Sequence, residues 1–364
     1  MPEETRGILQ QIHTYASEYV PTQFYQNYWP VLTFLRALGV QGGQAGDIAA
    51  PDTGAIIGGM PTLAMLESIN GSTTAMPRFK FKDSTQVKNI AGRGDTSPSM
   101  AGTSQLDDYK SASFAWTTKM AAVSVPKSYI DAAKGGYAKQ SEDLLNRSIN
   151  DALQTMTHDL ATELITGTVA NQAVLPWPNQ VGILDAVDDA NTYGAINRGL
   201  AENVEWRSPV EAGATPASLD LVDQANIDLR CGEFGTGVNM IIMDRVSYRK
   251  VKQEARADMG VIKLAGVPQR GESGFIQQAF EHDGVIYVYD PRFPHDDGGT
   301  AVALTAGAIR FEVDPAYNMR VTGLDDPVED GRQGTTLDVS TNILFKYRMY
   351  VTNPKTCAKW TNLT

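Results

Sequence analysis

Apolar residues recur through the middle of the chain at helical spacing. Leu145, Ile149, Leu153, Met156, Leu160 and Leu164 follow at steps of four, four, three, four and four, which places them on one stripe of a 3.6-residue period. Ser141, Glu142, Asp143, Asn150 and Asp151 fall elsewhere on the wheel, and the acidic pair near the start suits the positive end of a helix dipole. Gly135-Gly136 and Gly167 are natural boundaries. The pattern predicts one amphipathic helix from about Ala138 to Thr166, about 40 Å long at 1.5 Å per residue. The same stripe would serve a long core helix of any large domain.

Before it the period changes from 3.6 to two. Met76-Pro77-Arg78-Phe79-Lys80-Phe81-Lys82 alternates apolar and basic residues, as a strand with one wet face does. Residues 91 to 108 then collect Gly92, Gly94, Asp95, Ser97, Pro98, Gly102, Ser104, Asp107 and Asp108, the chemistry of a loop tip. Ser111 to Val125 returns with Phe114, Trp116 and a β-prone run at Ala121 to Val125. An isolated two-stranded ribbon is marginal in water, so the excursion is expected to lie on a neighbouring subunit. Phe79, Lys80, Phe81, Lys82, Phe114 and Trp116 are the candidate intersubunit residues.

Upstream, Tyr15, Tyr19, Phe24, Tyr25, Tyr28, Trp29 and Phe34 form an aromatic cluster that needs a partner surface. Gly39 to Gly59 is rich in Gly and Ala and reads as a flexible segment. Either the segment reaches under an adjacent subunit, or it forms a small helical pair on its own core.

Composition narrows the class. At 364 residues with 42% hydrophobic and 20% charged residues, the chain has ample length for a core in one or two domains. No run approaches the roughly 20 apolar residues of a membrane span, and Met1-Pro2-Glu3-Glu4 is acidic where a secretory leader would be basic. Two cysteines, Cys231 and Cys357, make no disulfide framework, and a reducing compartment is the simpler expectation. The net charge of -11 argues against a surface that grips DNA phosphates, which gains affinity by releasing counterions to a basic face. The local basic stretch Arg245, Arg249, Lys250, Lys252 and Arg256 reads as a solvated or intersubunit helix face.

Catalytic and metal chemistry find little support. The four histidines, His13, His158, His282 and His295, are scattered, with no HExxH motif and no paired cysteine spacing, so no metal site and no cofactor are expected. Cys231, His282 and Asp290 could be assembled on paper as thiol, base and orienting group of a hydrolase, but Cys231 follows the apolar run Leu221, Ala225, Ile227 and Leu229, where a small buried thiol is the usual occupant. Arg93-Gly94-Asp95, the Gly-rich Gly232 to Gly237, Asp296-Asp297-Gly298 and Asp325-Asp326 each read as turns rather than ligand sites.

The order of these elements is continued by Tyr193-Gly194-Ala195-Ile196-Asn197-Arg198 and Trp206, by Asn239-Met240-Ile241-Ile242-Met243 before a helix containing Tyr248, and by Gly284-Val285-Ile286-Tyr287-Val288-Tyr289-Asp290. It ends with Asn353-Pro354-Lys355 and Trp360-Thr361-Asn362. In that joint order and spacing the chain resembles the major capsid proteins of tailed bacteriophages, the Hong Kong 97 fold, over nearly its whole length. The resemblance implies an α+β subunit with an N-terminal arm at 1–68 and a long hairpin, the E-loop, at 69–125. A peripheral domain with a spine helix would take 126–218 and 331–364, and an axial domain 219–330. It further implies self-association into hexamers and pentamers of a closed virion shell, assembled in the host bacterial cytoplasm around double-stranded DNA that is packaged without tight binding. A portal, a possible decoration protein and, since about 68 residues leave little room for an internal scaffold, a separate scaffolding protein are the expected partners, with no membrane. Cross-linked members of the family use an E-loop lysine, for which Lys80, Lys82 and Lys88 are the available residues. An encapsulin-like nanocompartment is the alternative within the same fold.

Overall fold

A computed structural model describes residues 14–28, 56–57, 60–61, 64–68, 78–80, 109–126, 138–168, 180–229, 231, 237–259, 279–295, 298–305, 308–322 and 338–364. The chain runs through strands β1 (Ala64–Ser68), β2 (Arg78–Lys80), β3 (Tyr109–Ser111) and β4 (Thr117–Pro126) to the long helix α1 (Ala138–Thr166). The short strands β5 (Thr192–Tyr193), β6 (Ile196–Asn197) and β7 (Val210–Glu211) lead to β8 (Met240–Met243) and helix α2 (Arg245–Met259). Then come β9 (Ala279–His282), β10 (Val285–Tyr289), β11 (Gly299–Leu304), β12 (Ile309–Val313), β13 (Arg320–Thr322), the fourteen-residue β14 (Asp338–Val351) and β15 (Ala358–Leu363).

Two sheets organise these elements. The first is built on β14, whose odd positions Ile343, Phe345, Tyr347, Met349 and Val351 are all buried, as one face of a pleated strand requires. One edge of β14 carries β4 antiparallel over ten residues, Asp338 opposite Pro126 through Tyr347 opposite Thr117. The other edge is shared by β13 at Asn342–Leu344 and β12 at Tyr347–Val351, and β12 in turn holds β1 in parallel. Helix α1 and the helical segment 14–28 pack against this sheet and share its hydrophobic cluster. The second sheet has the order β9-β10-β8-β11-β15-β7. Its inner strands β8 and β11 are buried at every position, as expected of strands covered on both faces, and α2 packs on β10 and β11.

Helix α2 begins where Asp244 caps it. Asp244 Oδ1 accepts from the backbone N–H of Val246 (2.8 Å) and Ser247 (3.2 Å), and Oδ2 accepts from Thr300 N–H at 3.0 Å, satisfying orphan donors of the first turn while tying the helix to β11.

Three expectations are corrected by these pairings. The boundary at 330/331 divides one sheet, because β12 and β13 (placed with the axial domain) hydrogen-bond to β14 (placed with the peripheral domain). Conversely β15, expected to return to the peripheral domain, pairs with β11 of the second sheet. The returning arm of the long excursion lies on its own subunit: β4 spends its whole length on β14, since ten ladder pairs satisfy backbone groups that a free ribbon would leave to water. The N-terminal region is likewise built in where it is described. Ala16, Val20 and Phe24, at helical spacing of four, are fully covered, with Phe24 against Phe345 at 5.4 Å between centroids.

Candidate assembly surfaces

Helix α1 presents one buried stripe and one wet face. Ile149, Leu153, Met156, Leu160 and Leu164 are 0 to 4% exposed, whereas Asp151, Gln154, Thr155, His158, Asp159 and Thr162 face solvent. Leu145 lies on the helix, and its side chain falls outside the described set. Between the wet face and β4 runs a groove of about 450 Å³ lined by Lys119, Met120, Ala121, Ala122, Ser148, Asp151, Ala152, Thr155, Met156 and Asp159. Met120 is 52% exposed at its edge, a large apolar side chain that folding alone does not cover.

The root of the excursion is a short ladder. Arg78 faces Ser111, Phe79 faces Lys110 and Lys80 faces Tyr109, antiparallel. Phe81, Lys82, Lys88 and the turn-rich residues 91 to 108 lie outside the described residues, as do the Arg93-Gly94-Asp95 and Asp325-Asp326 turns, Asp296-Asp297 and residues 232–236.

Two of the candidate intersubunit residues pack against the subunit's own first sheet, one of them buried. Phe114 is 4% exposed and stacks on Tyr350 at 5.0 Å and tilts against Tyr193 at 4.9 Å. Trp116 is half-buried over β14, with the Arg348 guanidinium 4.3 Å and Lys346 Nζ 5.4 Å from its ring centre, a cation–π arrangement. Both side chains are held because the residues before β4 already follow its course along β14.

The aromatic corner around Phe114 depends on a tight turn. Gly194 and Ala195 both take positive φ, +60° and +67°, joining β5 to β6 as a two-residue turn. A Cβ at Gly194 would meet Ala112 Cβ at 2.7 Å and the Phe114 ring at 2.9 Å. Tyr193 accepts at its hydroxyl from Val351 N–H (2.7 Å), and its carbonyl accepts from Trp206 Nε1 (3.0 Å). Arg198, fully buried, donates to the carbonyls of Asp185 (2.8 Å), Ala186 (2.8 Å), Asp188 and Asn191 (3.1 Å). A guanidinium fork is suited to collecting such backbone acceptors.

Buried charge elsewhere is paired. On β12 and β14, Glu312 and Arg348 form an ion pair at 2 and 3% exposure, and Tyr350 donates to Glu312 Oε1 at 2.7 Å. Lys119 of β4 pairs with Glu163 of α1, and Glu163 accepts from Gln180 N–H. The alternation of Lys346, Arg348 and Tyr350 with apolar neighbours was available to show that β14 carries a polar face; the partners of those residues were not.

The hydrolase reading fails at its nucleophile. Cys231 is fully buried, and burial first, then Cys357, pushes its thiol up to about 12, far from the thiolate a nucleophile needs. His282 Nε2 lies 3.4 Å from Asp283, and Asp290 accepts from Arg292. Among the described residues no group of three His, Cys, Asp or Glu side chains could hold a metal ion, and no described helix is long and apolar enough to cross a membrane.

No protein-family model and no curated protein matches the chain. Solved structures do. The capsid asymmetric unit of cyanophage A-1(L) superposes with a TM-score of 0.54 at 14% identity, covering 82% of this chain and 90% of that one. The holo-SrpI encapsulin of Synechococcus elongatus PCC 7942 reaches 0.49 at 11% identity over 82% and 84% of the two chains. The capsid of an empty GTA particle reaches 0.48 at 13% over 83% and 95%, and neither of these two decides anything. The first superposition gives the chain the mixed helix-and-sheet capsid fold of the Hong Kong 97 type.

Proposed function

We propose that this chain is the structural subunit of a closed shell, the major capsid protein of a tailed bacteriophage, and that it has no catalytic role. The observation that carries this reading is the fold shared with the cyanophage A-1(L) capsid over four-fifths of the chain. The arrangement of surfaces supports it. A short antiparallel ladder joins β2 to β3, and a groove with a half-exposed methionine runs along α1. In the proposed shell, repeated heterologous contacts between copies close into rings around fivefold and sixfold axes.

The charge supports the contents. A wall of net charge -11 per subunit repels duplex DNA in bulk and holds a genome without adhering to it. Assembly proceeds in the host cytoplasm with a separate scaffolding protein, a portal and, in some shells, a decoration protein. In an encapsulin-like compartment the same subunit would surround an enzyme.

Purified particles decide between the two. Electron microscopy with the ultraviolet absorbance ratio should show closed shells that contain DNA or are empty, and a mobility shift with free subunits should show little duplex binding at physiological salt. Particles filled with one protein species would establish the compartment instead. Tight, salt-sensitive DNA binding without closed particles would replace both readings with a nucleic-acid-binding protein.

A further inference from the structure

Arg245, Arg249, Lys252 and Arg256 sit at positions i, i+4, i+7 and i+11 of α2, within about 60° of one another on the helical wheel and along about 16 Å of its axis. They converge on a pocket of about 410 Å³ whose other walls are Tyr248, Tyr289 and Pro291. Among the described residues no carboxylate lines it, although the subunit as a whole carries eleven more acidic than basic charges. Like charges spaced three and four apart weaken a helix, so the stripe works against its own element unless something anionic rests on it.

Two further observations point inward. Tyr248 is 2% exposed, and its hydroxyl is buried with no hydrogen-bond partner among the described residues, a condition that folded proteins rarely tolerate. Lys252 is half-buried with Nζ 5.5 Å from the Tyr248 ring centre, and burial first, then Arg256, lowers its pKa from the ordinary value. Tyr289 packs against Tyr248 at 5.4 Å between centroids, giving the pocket an aromatic wall beside its cationic one. Lys250, in the same basic run, points to another face and does not line the pocket.

We propose that this pocket binds a multiply charged phosphate, of the free polyphosphate or nucleoside-triphosphate class, with the three guanidiniums and Lys252 on its oxygens and the Tyr248 hydroxyl as a further donor. Guanidinium forks match phosphate geometry, and a cavity of this size accommodates a triphosphate with or without a base against the tyrosines. All of its described walls come from one chain, so binding is tested on free subunits.

Titration calorimetry on the full-length chain tests it, with sodium triphosphate and ATP as probes and a 20-base-pair duplex in a parallel arm. One site per chain is expected for triphosphate. Arg249→Gln with Arg256→Gln should weaken binding at least about tenfold, and Tyr248→Phe about severalfold, while Lys250→Gln leaves it unchanged. All variants are checked for wild-type circular dichroism. Tighter binding of ATP than of triphosphate places the base on the tyrosine wall; equal binding makes free polyphosphate the ligand, and either supports the site. The absence of saturable heat with both probes, binding that survives loss of both arginines, or a response to the duplex alone would overturn it.

Discussion

Helices α1 and α2 solve opposite problems with the same geometry. α1, 29 residues long, turns an apolar stripe inward and leaves polar groups and charges of both signs outside. In α2, 15 residues long, the buried positions among the described side chains are Ser247, Tyr248, Val251 and Ala255, while four cations line up beside them. Periodicity therefore means different things in the two. In α1 the repeating unit is the part that folding hides, so its removal attacks stability; in α2 the repeating unit is the part that folding leaves out, so its removal should leave the fold intact.

The largest effect is expected at the centre of α1. Leu153 is fully buried, and Leu153→Asp places an unpaired charge in an apolar site at a cost of several kcal/mol. Soluble expression should be lost. Recovery of the variant with an unchanged urea midpoint would show that the stripe is not what anchors the helix.

Beneath α1, the first sheet relies on a buried ion pair. Arg348→Ala leaves Glu312 uncompensated and should cost about 3–5 kcal/mol, read as a shift in the denaturation midpoint. Replacing both partners together, Glu312→Leu with Arg348→Met, should cost clearly less, because no lone charge remains. If the single and double variants are equally unstable, pairing is not what the site provides.

A smaller loss is expected at the turn between β5 and β6. Gly194→Ala strains a positive-φ position and crowds Ala112 and Phe114, which should destabilise by about 1–3 kcal/mol. Thermal unfolding reads the shift, and an unchanged melting temperature would mean that the aromatic corner yields easily.

The smallest effect closes the comparison. Arg249→Gln and Arg256→Gln are surface changes that relieve like-charge neighbours, so stability in phosphate-free buffer should stay within about 0.5 kcal/mol of wild type or rise. A loss comparable to that of Leu153→Asp would mean that the two helices do not differ in the way their faces suggest.

Much of the architecture was legible in the residues. The stripe from Leu145 to Leu164 located α1 because a 3.6-residue repeat sustained over five steps is the mark of a helix with one buried face. The run Gly284 to Asp290 entered only through the order of elements, and it holds the strand Val285–Tyr289. Sheet membership was hidden: nothing local in Ala358–Leu363 says that it joins β11 rather than β14, because that choice is made by contacts distant in sequence. The same applies to Phe114, whose place among Tyr193 and Tyr350 depends on two other elements arriving beside it. Of the surfaces, the basic run on α2 was visible as composition; that four of its members share a pocket with an unpartnered tyrosine hydroxyl required the fold.

As the proposed shell subunit, the chain should assemble into closed repeats of itself. Cryo-electron microscopy of the purified chain, concentrated over a range of salt and pH, tests that most directly. Closed particles are expected, or rings of five and six, in which each subunit keeps α1 intact. A folded chain that remains monomeric under every one of those conditions, with no ring and no shell, would contradict it.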